Sequence, residues 1–282
     1  MKRRYVAPSR GEIPAATFAH PAFAEVVRWI DWGLSPEWPG VDVLNAALDG
    51  AIHAQSGRRL RFVAQTPELL ADGLHYEVRI FEQGAIATRT GNWHDLLNAM
   101  VWCRFPGIKS ALNLRQHRDV RRVGAKQRTP AQYAQTLFDE GGAIVVVRDP
   151  ALLPLWDAHD WRELFRPRHW HSGAIGLRVF GHALMEHALT PGKLMTAKCL
   201  VWQGDPVGFD AVAATAAAIA DGRWLNDPQE LRPLPVSGIP GWHAPQDEAF
   251  YATAECFRPA RPGRTYPAPL PAPGLAQRVF NR

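Results

Sequence analysis

Two apolar-periodic runs lie back to back between Gly91 and His117, separated only by Pro106-Gly107. A Pro-Gly pair breaks a helix without room for a long loop, so the two runs predict an αα-hairpin with a very short turn. Asn92 stands where the first helix needs an N-cap. Asp95 falls at N3, where a carboxylate also favours the helix dipole. Trp93, Leu97, Met100 and Val101 form one apolar stripe, while His94 and Asn98, four apart, share a polar one. On the second helix Lys109, Asn113 and His117 repeat at i, i+4 and i+8 in one polar line, against Ile108, Ala111, Leu112 and Leu114. Asn is a poor helix-interior residue, and exposed positions favour Lys, Glu or Gln instead, so the polar stripes predict an inward-facing site. Each residue also has a plainer reading: a cap for Asn92 and Asp95, a half-exposed helix for His94, a solvated face for Lys109.

Signals on either side of the hairpin are mixed. Pro21 to Trp32 and Val41 to Ile52 read as helices, Leu60 to Ala64 as a strand. Leu74 to Phe81 alternates Tyr76, Val78 and Ile80 with Glu77 and Arg79, which predicts a strand that turns at Gly84 into Ala85 to Arg89 as a β-hairpin. Thr129-Pro130-Ala131-Gln132 is a capping box with Pro at N1. The helix that it starts is expected to end at Gly141-Gly142 in a left-handed cap, before a β-branched strand at Ala143 to Val147. Ala151 to Phe165 reads as a helix, Arg166 to Ser172 as a loop or short turn, Ala174 to Phe180 and Met195 to Trp202 as strands, and Gly181 to Leu189 and Phe209 to Ala220 as helices. Leu234 to Trp242 is too rich in Pro and Gly for regular structure. Strand signals few and separated by helices give the expected class: α+β, one domain over 21–260, with helices around a small mostly antiparallel or mixed sheet. Residues 1–20 are expected to be irregular and 261–282 a Pro-rich tail.

Composition excludes several classes. Hydrophobic residues at 46% can supply a large core, and 21% charged residues is near the globular norm, so intrinsic disorder is excluded. Cys103, Cys199 and Cys256 are odd in number, far apart and in no C-x-x-C, which argues against a disulfide framework and a zinc ribbon. The basic start Met1-Lys2-Arg3-Arg4-Tyr5 has no apolar run behind it, so no signal peptide is read. The Ala-rich run Ala211 to Ala220 is about half a bilayer span, so no membrane helix is expected either. The expected location is the cytoplasm. The net charge of +5 is concentrated in Arg115, Arg118, Arg121, Arg122, Lys126 and Arg128. Such a cluster suits phosphate or nucleic acid, although a solvated basic face has the same composition. Walker A, G-x-G-x-x-G and G-x-S-x-G signatures are all missing.

Two further groups can join the hairpin's polar stripes. Asp139 and Glu140 fall at the C-terminal end of the Thr129 helix, where carboxylates oppose the dipole and call for a nearby cation or metal. His182 and Glu186 share a helix face at i, i+4, without the Glu that an H-E-x-x-H motif requires. The block Gly91-Asn92-Trp93-His94-Asp95-Leu96, with Arg89, Asn98, Lys109, Asn113, Leu137-Phe138-Asp139-Glu140 and Phe180-Gly181-His182, resembles the uncharacterised family DUF3025. The likeness spans roughly residues 20 to 260 and implies a bacterial cytoplasmic protein of one domain.

The resulting expectation is a metal-dependent hydrolase acting on a phosphoester or nucleic acid. His94, His117, His182 and Glu186 would ligate a divalent transition metal (Zn, Mn, Fe or Ni). Asp139, Glu140 and Lys109 would carry catalysis, and Asn98, Asn113, Arg118, Arg122 and Arg128 would hold an anionic substrate. Two alternatives stand beside it: a binding module that uses segment 115–128 on nucleic acid or protein, and a purely structural polar network.

Overall fold

The strand Gly142–Val147 is buried at all six positions and is the axis on which the rest is hung. The computed structural model of the chain describes residues 5–273. Short 3-10 turns at Arg10–Glu12 and Ala15–Ala19 lead into a longer one at Pro21–Trp29 and into α1 (Asp31–Leu34) and α2 (Val41–Leu48). Then come β1 (Arg61–Ala64), α3 (Pro67–Leu70), α4 (Tyr76–Gln83) and β2 (Ala85–Thr88). The αα-hairpin follows as α5 (Trp93–Arg104) and α6 (Pro106–Val123), and after it α7 (Pro130–Gly141) runs directly into β3 (Gly142–Val147). The chain continues through α8 (Leu152–Asp157), α9 (Trp161–Leu164), α10 (Pro167–His171), β4 (Ile175–Val179) and α11 (His182–Ala188). It closes with β5 (Ala197–Gln203), α12 (Ala211–Ala220), β6 (Arg232–Leu234), α13 (Glu248–Thr253) and β7 (Leu270–Pro271).

The main sheet is mixed, in order β4-β3-β5-β6, with β7 also on β5. β3 pairs antiparallel with β4 and parallel with β5, and β6 and β7 share the remaining edge of β5. Helices pack around this sheet, with α6 against α12 and α11 against α5 and α7. The fold is α+β and forms a single domain, as the spacing of strand and helix signals implies. Of the Pro-rich C-terminal segment, Leu270-Pro271 pairs with β5 and Ala272 is buried; residues 274–282 lie outside the described part.

Four local expectations are corrected. Residues 76–83 form a helix, and β1 and β2 are parallel, so no β-hairpin precedes Gly91. The His75 ring caps the helix at the Glu77 amide, and Gly84 takes the left-handed conformation (φ 68°) that ends it. Ala151 to Phe165 is split into α8 and α9 at His159, which has a positive φ of 57°. The Arg166 to Ser172 loop contains the short helix α10. Gly142 is extended (φ −77°, ψ 151°), not left-handed. Its role is close approach, because a Cβ there would collide with the Phe138 carbonyl and ring.

Candidate functional site

Five helices deliver polar side chains into one cavity of about 300 Å³. The entry to α5 is fixed first. Asn92 Oδ1 accepts from the Asp95 amide at 3.0 Å, as its capping position predicts. The Asp95 carboxylate in turn accepts from the Arg89 amide and guanidinium at 2.6–3.0 Å. That ties the end of β2 to the first turn of α5 and sets the angle at which His94 and Asn98 project.

α6 contributes Lys109, whose side chain is only 5% exposed. Its ammonium donates to both Asp139 oxygens at 2.7 and 2.9 Å and to Asn98 Oδ1 at 2.9 Å, and lies 5.2 Å from the Trp102 ring centre. The last turn of α7 supplies Asp139 and Glu140. Burial is the largest single influence and works to raise the Asp139 carboxyl, but the charge and hydrogen bond of Lys109 together with the neighbouring His182 and His94 outweigh it and hold the group below its ordinary value. The dipole penalty on this carboxylate thus has the cation that the sequence called for.

At the other side of the cavity two imidazoles face each other. His182 Nε2 and His94 Nε2 are 3.0 Å apart, and the Glu140 oxygens lie 3.7 Å from the former and 3.9 Å from the latter. Ligand atoms of His94, Glu140 and His182 all fall within 4.8 Å of one another. His94 Nδ1 is held at 3.0 Å by Glu186, which turns Nε2 inward and raises the His94 pKa. His182 is buried, and that burial pushes its pKa down to about 3, so its neutral ring is the stable form. Its Nδ1 has no hydrogen-bond partner of full geometry, and the Asp139 carbonyl is the backbone acceptor acting on the ring. A proton on Nδ1 leaves the Nε2 lone pair free, the arrangement usual in metal-ligating histidines.

The donor set fits an ion. The 3.0 Å between the two imidazole nitrogens is a few tenths of an ångström short of the roughly 3.4 Å that two tetrahedral ligands about 2.05 Å from an ion would span. The Glu140 oxygens sit a few tenths of an ångström beyond the separation of about 3.4 Å that tetrahedral ligands of this length span, within reach of a small carboxylate swing.

Backbone, not side-chain packing, sets the spacing of Glu140 and His182. The amides of Phe180 and Gly181 both donate to the Gly142 carbonyl, at 3.0 and 2.8 Å, so the start of α11 is docked on the α7–β3 junction. A Cβ on Gly181 would meet the Glu140 carbonyl and the Gly142 amide. Gly181→Ala is therefore expected to destabilise the protein by about 1–3 kcal/mol through overpacking and to disrupt the Glu140–His182 spacing. Thermal melts and metal titration of the variant check both. Unchanged stability would mean that the junction yields freely.

Other sequence-derived candidates lie elsewhere. His117 does not join His94 and His182: it pairs with Glu82 at 3.2 Å and stacks on Phe81. It stands eight residues beyond Lys109, about 12 Å along the helix axis. Arg118 and Arg122 line a different surface recess, and Arg122 is paired with Asp119. Much of the basic segment is similarly engaged, Arg121 by Glu82 and Arg115 by the Trp224 carbonyl and Asn226. Arg128 does line the cavity and has no ion pair among the described residues. Asn113 faces inward as expected, but it binds His53 (2.9 Å) and Glu77 (2.6 Å) and closes the cavity wall.

Tyr76 and Glu77 are lining residues that escape the sequence reading because their segment looks like a strand. Asn98 reaches the Tyr76 hydroxyl at 3.4 Å. Burial raises the Glu77 carboxyl to about 7, against the opposing pull of Asn113 and Lys109. The i, i+4 relation of Tyr76 and Ile80, with His75 before and Gly84 after, was the helical signal available.

No curated protein and no solved structure matches the chain. A family model described as "Protein of unknown function (DUF3025)" matches residues 60–261, a span that contains every residue of the cavity named above. That match covers well over half of the sequence, and the chain belongs to the DUF3025 family.

Proposed function

We propose that the protein is a metal-dependent hydrolase acting on a small anionic substrate, with His94, His182 and Glu140 as the ligands. The observation that carries the reading is the convergence of three ligand atoms within 4.8 Å at the wall of a cavity that also holds a buried Lys–Asp pair. A bound divalent ion would supply Lewis acidity and a water acidified toward neutral pH. Glu186 orients His94, and the docked junction positions His182. Asp139, kept ionised by Lys109, is the acceptor best suited to draw a proton from a nucleophile. The Glu77 carboxyl, at about 7, can hold or release a proton at neutral pH. Arg128 is the lining cation left for a substrate anion, since Lys109 and Arg89 are already committed to carboxylates. A cavity of about 300 Å³ is at the small end for ligand sites, which favours a phosphoester metabolite over a polymer.

The test combines binding and turnover. Zn, Mn, Fe or Ni is expected to raise the melting temperature, and an ion bound only to the folded state adds about 2.7 kcal/mol at a hundredfold excess over Kd. His94→Ala and His182→Ala should abolish that response and the metal-stimulated hydrolysis of a phosphoester panel, while Arg118→Ala and Arg122→Ala leave both intact. A protein that stays metal-free after loading and is blind to chelator sinks the proposal. In that case a lowered melting temperature of His182→Ala without metal would mark a structural polar network. The binding-module alternative is read from salt: replacing Arg118, Arg121 and Arg122 by Ala should flatten the salt dependence of anionic-polymer binding if that segment contacts phosphates.

A further inference from the structure

A second cavity, of about 990 Å³, shares no lining residue with the one above. It lies between the β5–β6 edge and the segment 255–266, and its apolar walls come from residues such as Leu194, Leu231 and Pro235. Four cations line it, Lys198 from β5 and Arg258, Arg261 and Arg264 from the C-terminal segment, against one carboxylate, Glu255.

These cations are held differently from several arginines elsewhere in the molecule. Arg79, Arg89, Arg104 and Arg232 each face a carboxylate. Arg264 is instead positioned by neutral acceptors, the side chain and carbonyl of Gln229, and packs 4.5 Å from the Tyr266 ring centre. Arg258 donates weakly to the Glu255 carbonyl. The side chains of Lys198 and Arg261 make no hydrogen bond or ion pair among the described residues. Lys198 is half-buried, and burial together with Arg261 and Arg264 holds its pKa below the usual lysine value. Gathering like charges in a partly desolvated concavity is unfavourable unless an anion joins them.

We propose that this cavity binds a phosphorylated small molecule carrying at least two negative charges. A surplus of three positive charges among the lining side chains calls for a multiply charged partner. Guanidinium forks match tetrahedral phosphate oxygens and the lysine ammonium adds a point charge. The volume lies at the upper end of small-molecule sites, and the Pro and Leu walls accept an organic portion beyond the phosphates.

Thermal melts of metal-stripped protein with pyrophosphate and tripolyphosphate, at matched ionic strength, test the assignment without involving the His94–His182 centre. Both probes are expected to stabilise saturably and to bind about tenfold or more tightly than orthophosphate, a gap of about 1.4 kcal/mol. Lys198→Met and Arg261→Ala should each weaken that binding at least several-fold without lowering the ligand-free melting temperature. Arg261 is exposed, so its variant gives the reading even if Lys198→Met fails to fold. No saturable shift, an unchanged shift in Arg261→Ala, or equal stabilisation by citrate would each overturn the proposal.

Discussion

Lys109→Met is expected to cost about 3 kcal/mol of stability, because it strands the Asp139 carboxylate beside two histidines without its cation. Breaking a buried pair usually costs about 3–5 kcal/mol, and the lower end applies because Asp139 is still 28% exposed to the cavity. For a chain of this size the melting temperature should fall by about 6–12 °C. The deficit should grow with pH. The Asp139 pKa is depressed in the native fold, so the stability that it confers is present above its ordinary value of 3.8 and lost as pH falls through the native one. Without Lys109 that contribution disappears, and only protonation of Asp139 relieves the strain. Lys109→Met/Asp139→Asn should recover part of the loss, since no charge is left unpaired. A single variant as stable as the parent at pH 8 would show that cavity water already solvates Asp139.

Glu77→Gln should act in the opposite direction and stabilise the protein by about 2 kcal/mol at pH 8. The native Glu77 carboxyl is raised from 4.5 to about 7 by burial. Between those values the native state holds a proton that the unfolded chain has released, so stability from this group is complete below about 4.5 and lost as pH rises through about 7. The full shift would convert to roughly 3 kcal/mol, reduced here because the cavity admits solvent. Burial of His182 imposes an opposite slope between about 3 and 6.5, with stability lost as pH falls. The measurement is accordingly the difference between variant and parent, in which that slope cancels. The two melting curves should coincide near pH 4 and separate by pH 8. A constant offset at every pH would mean that Glu77 is ionised throughout.

What the sequence made legible was what local chemistry encodes. Two helices do meet at Pro106-Gly107, with the break at Phe105 and Pro106 opening the second, Asn92 does cap the first, and Thr129 and Gln132 do close a reciprocal capping box. The polar oddity of Asn98 and Asn113 did mean an inward face. Residues 76–83 misled because the alternation from Tyr76 to Ile80 satisfies a strand template, while the deciding signals, His75 and Gly84, flank it. His117 misled for a different reason. A shared helix face guarantees a common direction but not a common place, and two turns carry a side chain beyond any single ligand sphere. That Glu186 would serve His94 on another helix, and not His182 on its own, is a tertiary fact that no spacing rule contains.

The meeting of α7, β3 and α11 at the Gly142 carbonyl gives Glu140, His182 and His94 unequal freedom. Glu140 and His182 belong to a fixed jaw, cast from one stretch of main chain with glycines where any larger residue would prise it open. His94 is the other jaw, on a separate helix, its ring held by Glu186 and set against His182. An ion bound in the gap as proposed would be accommodated by movement of the α5 side, leaving the sheet still.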